Sequence, residues 1–112
     1  MANYASAAQV GARLGYSITS SSRPNLTQIA SYLQDADSII NAFMFQSANV
    51  TDTYGLLRVV AINLVCKMTN NLFSMAEPEN FAYMEIMLNE EEKEMVRKSH
   101  RIWSAYSWKM GS

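Results

Sequence analysis

A repeated capping pattern constrains this chain more than anything else in it. Ser6 with Gln9, Asn25 with Gln28, and Asn89 with Glu92 each set a Ser or Asn three residues ahead of a Gln or Glu. At that spacing the first side chain accepts from a first-turn amide while the second reaches back to the amide of the first. Two of the orphan donors at a helix start are then satisfied together. Thr51 or Asp52 offers a simpler cap ahead of Tyr54. Asn25 and Asn49 also open Asn-x-Thr triplets, and both are read as caps rather than as glycosylation acceptors. Four helix starts in 112 residues predict an all-α fold. The expected architecture is a small bundle of four main helices: a short first helix, long second and third helices, and a C-terminal helix. The length is that of one domain, so 1–112 is read as a single helical unit.

Hydrophobic periodicity fills in the segments between the caps. The first helix, about Ser6 to Leu14, carries Val10 and Leu14 one turn apart and stops at Gly15, the residue best suited to a left-handed C-cap. Ser17 to Pro24 is a polar loop that contains Arg23. The second helix, about Leu26 to Phe45, places Leu26, Ile29, Leu33, Ala36, Ile40 and Phe43 along one stripe. Asp35 and Asp37 interrupt it. Two residues apart, they point to different sides, so they suit a solvated face or a basic neighbour, not a shared metal. The third helix, about Thr53 to Met75, is apolar nearly all round and broken only by Arg58, Asn63 and Lys67. Such a helix is buried nearly all round, and in so small a domain that burial is expected to include another chain. Pro78 ends it, a short turn from Phe81 to Leu88 is possible, and the last helix runs from Asn89 to about Met110.

The chemistry classes narrow quickly. His100 is the only histidine and Cys66 the only cysteine, and Cys66 sits among Val65 and Met68 on an apolar helix. Neither a two-imidazole metal site nor an accessible thiol nucleophile is expected. The four glycines, at 11, 15, 55 and 111, form no phosphate loop. Enzyme activity and cofactors are therefore not expected. No apolar stretch reaches the ~20 residues of a bilayer span. The opening residues lack the pattern of a secretory signal, so a cytoplasmic protein that does not enter membranes is expected. Net charge is −1, too little to draw in nucleic acid globally. Locally the charge is polarised. Seven acids and only Lys93 lie between Glu77 and Glu94, and then Arg97, Lys98, Arg101 and Lys109 follow with no acid among them. Acids at a helix start and bases at its end suit the helix dipole.

Those bases interleave with His100, Trp103, Tyr106 and Trp108. Three readings of the segment stay open: core packing with a solvated charged face, a protein interface rich in hot-spot residue types, or phosphate and base contacts to nucleic acid. Charged residues are only 17% of the chain against 49% hydrophobic, which favours extra apolar contact and hence assembly.

The order of parts resembles a known family. Tyr4-Ala5-Ser6 opening a short helix closed by Leu14-Gly15, a polar loop, a long helix containing Leu33-Gln34-Asp35-Ala36-Asp37-Ser38-Ile39-Ile40-Asn41, and Tyr54 opening an apolar helix are similar to the head-tail connector proteins of tailed bacteriophages. The likeness spans about residues 4 to 75. It implies a small helical virion protein in a ring of about twelve subunits under the portal, extending the DNA channel and docking a stopper or tail-completion protein. DNA would pass through without sequence-specific binding. The resemblance places Arg97, Arg101, Trp103, Tyr106, Trp108 and Lys109 against the portal or another partner. Subunit contacts are expected at Arg23, Asp35, Asp37, Arg58, Val59 and Ile62. The implied location is the virion neck, after assembly in the host cytoplasm. The alternative is a small helical nucleic-acid-binding or regulatory protein that uses its basic aromatic C-terminal helix.

Overall fold

A computed structural model describes residues 3–69 and 88–111, with side chains described as far as Ala105. Among these residues the chain forms four helices and no strand: α1 (Ala7–Leu14), α2 (Leu26–Phe43), α3 (Leu56–Thr69) and α4 (Glu90–Gly111). The expected all-α bundle is what the chain adopts. The turn anticipated between Phe81 and Leu88, and any continuation of the third helix past Thr69, fall outside the described residues, apart from Leu88 itself.

All three capping boxes form. Ser6 Oγ accepts from Gln9 N–H at 3.2 Å while Gln9 Oε1 accepts from Ser6 N–H at 2.9 Å. Asn25 and Gln28 exchange the same pair of bonds at 2.9 Å each. Asn89 and Glu92 do so at 2.7 and 3.0 Å. Gly15 closes α1 with φ 89°, a left-handed geometry that glycine adopts without a Cβ penalty. Gly11, inside α1, serves packing instead. A Cβ there would stand 2.7 Å from the Tyr16 carbonyl oxygen, so its absence lets the Tyr16–Ile18 segment fold back on the helix.

The third helix starts later than its sequence suggests. Asp52 caps it from a distance, its two carboxylate oxygens accepting from Leu57 N–H at 3.1 Å and Arg58 N–H at 2.9 Å. Gly55, at φ 74°, turns the chain between cap and helix. The second helix likewise stops at Phe43, two residues early, with Phe45 beyond it in a left-handed conformation at φ 58°.

α3 is the central element, packed by α1, α2 and α4. Leu57, Val60, Ala61, Ile62, Leu64, Val65 and Met68 are buried. They meet Val10 from α1, Ile29, Leu33, Ala36, Ile39 and Ile40 from α2, and Val96 from α4. The all-round apolar character of α3 is thus absorbed largely inside its own chain. Over its described residues, then, α1, α2 and α4 supply the enclosure of α3 on three sides. Lys67 and Glu92 tie α3 to α4 through a 2.7 Å ion pair in which the Glu92 side chain is 3% exposed.

Candidate interaction surface

The residues singled out from sequence do not converge on one place. Ile62 is buried in its own core and offers almost nothing to a neighbouring subunit. Val59 and Asp35 are half-buried, and Arg23 and Arg58 are exposed. Burial pushes the Asp35 carboxyl above its usual range. Arg23 belongs to a loop ordered by its own hydroxyls. Ser22 Oγ accepts from Thr19 N–H at 2.9 Å, and Tyr16 Oη donates to the Arg23 carbonyl at 3.2 Å.

Asp37 is not on a solvated face, contrary to its reading from sequence. It is 7% exposed and belongs to a closed ring of hydrogen bonds. Tyr4 N–H donates to Asp37 Oδ1 at 3.3 Å, and Tyr4 Oη donates to Asn41 Oδ1 at 2.6 Å. Asn41 Nδ2 donates to Asn49 Oδ1 at 2.8 Å, and Asn49 Nδ2 returns to Asp37 Oδ2 at 3.0 Å. Val50 N–H adds a bond to Tyr4 Oη at 2.9 Å. The sequence reading makes Asn49 a helix cap, but its side chain serves this ring instead. Burial pushes the Asp37 carboxyl up, opposed by the Asn49 and Tyr4 donors. Burial also drives the Tyr4 phenol up to about 12; the Val50 amide opposes this, and the Asp37 and Asp52 charges add to it. The ring fastens the residues before α1 and the α2–α3 connection to one face of α2.

That connection presents two large aromatic side chains among small polar ones. Phe45 is 83% exposed and Tyr54 72% exposed. A bulky residue with positive φ is an uncommon, strained conformation of about 1 kcal/mol or more. Phe45 takes this conformation at φ 58° with its ring largely exposed, on a connection that the polar ring fastens to α2. Neither residue stands out as a contact in the sequence, where Tyr54 only opens a helix and Phe45 only ends one.

The C-terminal helix resolves into two faces. On one, Val96 and Ser99 are buried, and His100, Ile102 and Trp103 beyond them are half-buried. His100 sits beside Gln46, nitrogen to nitrogen at 3.2 Å, and stacks on Trp103 with ring centroids 5.7 Å apart. The Arg97 guanidinium lies 5.2 Å from the centroid of Phe43. On the other face Glu94 engages both Arg97 at 3.6 Å and Arg101 at 3.2 Å. The two guanidiniums thus share a single carboxylate. Tyr106, Trp108 and Lys109 continue α4, with side chains outside the described residues.

Cys66 is half-buried, and burial raises its thiol pKa against a smaller opposing effect of Arg13. Among the described residues no group of three or more His, Cys, Asp or Glu stands where it could hold a metal ion, and no helix is long and apolar enough to cross a membrane. No protein-family model, no curated protein and no solved structure matches the chain.

Proposed function

We propose that the chain is a structural virion protein of the neck of a tailed bacteriophage, forming a ring of about twelve subunits beneath the portal. The ring extends the DNA channel and docks the next neck or tail component. The observation that carries the assembly reading is the pair Phe45 and Tyr54, two large aromatic side chains held in solvent on the α2–α3 connection. Exposed aromatics on a fixed backbone suit a protein interface, because little ordering entropy is lost when a partner covers them. The connector assignment comes from the resemblance of residues 4 to 75, and the all-helical bundle is compatible with it. The portal contact through Arg97, Arg101, Trp103, Tyr106, Trp108 and Lys109 is part of the same proposal. So are subunit contacts at the exposed or half-exposed Arg23, Asp35, Arg58 and Val59; Asp37 and Ile62 are turned inward.

Electron microscopy of the chain mixed with a portal assembly tests this. The expected result is a ring on the portal, lost in the F45N/Y54S variant while its helical circular dichroism is kept, since Asn tolerates positive φ. A chain that stays monomeric with every portal offered refutes the proposal.

A further inference from the structure

Six charged residues share one exposed face of α4. At 100° per residue, Glu90, Glu91, Glu94, Arg97, Lys98 and Arg101 fall within roughly 120° of arc, and all six are exposed. Buried Glu92, Val96 and Ser99 lie on the opposite face. The three acids occupy the N-terminal half and the three bases the C-terminal half. Lys93, the base within the acidic half, lies off this face with its side chain 14% exposed and its ammonium 3.3 Å from Glu90.

This order is self-complementary. Turning the helix end for end about the point between Met95 and Val96 sets Glu94 over Arg97 and Glu90 over Arg101, with Glu91 beside Arg101 and Lys98 beside Glu94. An antiparallel copy therefore presents the opposite sign at Glu90, Glu94, Arg97 and Arg101, with Glu91 and Lys98 over the positions of His100 and Lys93, whereas a parallel copy in register presents the same sign at all six. The pairs within one chain leave room for this. Glu94 meets Arg97 and Arg101 with one oxygen each, while each guanidinium carries five N–H donors.

We propose that this face of α4 docks the same face of a second copy in an antiparallel, two-fold arrangement, giving a salt-sensitive dimer of the free chain. Such an isologous contact closes on itself and stops at two. The paired stretch is about 18 Å long, well short of a standard interface, so a dissociation constant of about 1 mM is expected. The proposal does not depend on the connector reading, because it concerns the chain without a portal.

Sedimentation equilibrium at protein concentrations up to about 1 mM tests it. In about 20 mM salt a monomer–dimer equilibrium is expected, weakened about tenfold or more in about 500 mM salt, where exposed charges are screened. E94R sets a guanidinium against the partner's Arg97, and R97E sets a carboxylate against the partner's Glu94, so each variant alone should be monomeric. Mixed in equal amounts they should form a heterodimer, and the double variant E94R/R97E should dimerise again. Restored pairing inside one chain cannot produce the heterodimer. Single variants that dimerise like the parent, a mixture that stays monomeric, association insensitive to salt, or species larger than a dimer would each overturn the proposal.

Discussion

Replacing Tyr4 by Phe keeps the aromatic ring and removes one oxygen. That oxygen donates to Asn41 Oδ1 at 2.6 Å and accepts from Val50 N–H at 2.9 Å. Asn41 is buried and Val50 half-buried, so neither group recovers a full water partner. Two hydrogen bonds at about 0.5–1.5 kcal/mol each put the loss at about 1–3 kcal/mol. That is a sizeable share of the roughly 5–15 kcal/mol by which a domain is stable, and it corresponds to a melting temperature lower by roughly 4–15 °C. Urea and thermal unfolding at neutral pH measure it. The same variant has a second signature at alkaline pH. The Tyr4 phenol is raised from 10.0 to about 12, chiefly by burial. Its contribution is therefore whole below pH 10 and is lost as pH rises from about 10 to about 12, because the unfolded chain releases the proton first. The variant has no such proton, so the stability gap between it and the parent must narrow across that window. A variant within about 0.3 kcal/mol of the parent, less than any hydrogen bond worth counting, would refute the reasoning, as would a gap that does not change with alkaline pH.

Asp37→Asn is expected to show a pH dependence in acid. Burial raises the Asp37 carboxyl above 3.8, so the folded chain keeps that proton longer than the unfolded one. Parent stability relative to the variant then falls as pH rises from 3.8 into the raised range, which urea midpoints across acid pH will record. Gly11→Ala reverses a familiar sign. In an open helix it gains about 0.5–1 kcal/mol, but the new Cβ would press on the Tyr16 carbonyl at 2.7 Å, and a net loss of about 1–3 kcal/mol is expected in thermal unfolding. Asn25→Ala removes the cap of α2 and is expected to cost about 0.5–2 kcal/mol in urea unfolding.

Local chemistry is the legible part of this chain. Each capping box spans only four residues, so Ser6, Asn25 and Asn89 can be placed without knowing the rest of the fold. The start of α3 is less legible because Asp52 reaches amides five and six residues ahead, across the Gly55 turn, rather than those of the next turn. The polar ring escapes a reading of the sequence because Tyr4, Asp37 and Asn49 meet only after three segments come together. One signal does exist. Asp37 and Asn41 stand one turn apart along one edge of the stripe marked by Leu33, Ala36 and Ile40, close enough to it to be drawn out of water. Exposure of Phe45 is not legible, since nothing in a sequence distinguishes the last apolar residue of a stripe from one thrown outward by a positive φ. The burial of α3 is legible in its apolar sequence, but the share supplied by α1, α2 and α4 is not, because that depends on how they pack.

The closed ring around Tyr4 also bears on the rates of folding and unfolding. The three bonds made by Tyr4 join residues 33, 37 and 46 positions apart, whereas the capped helices need only their neighbours and form in about a microsecond. Closing such long loops costs entropy before any bond forms, so the ring belongs to the native side of the barrier. Tyr4→Phe should then leave the refolding rate nearly untouched and speed unfolding by roughly 5- to 150-fold, the whole of its ~1–3 kcal/mol. The polar ring would act as a clasp on the lifetime of the folded chain, leaving the capped helices to set how fast it is reached.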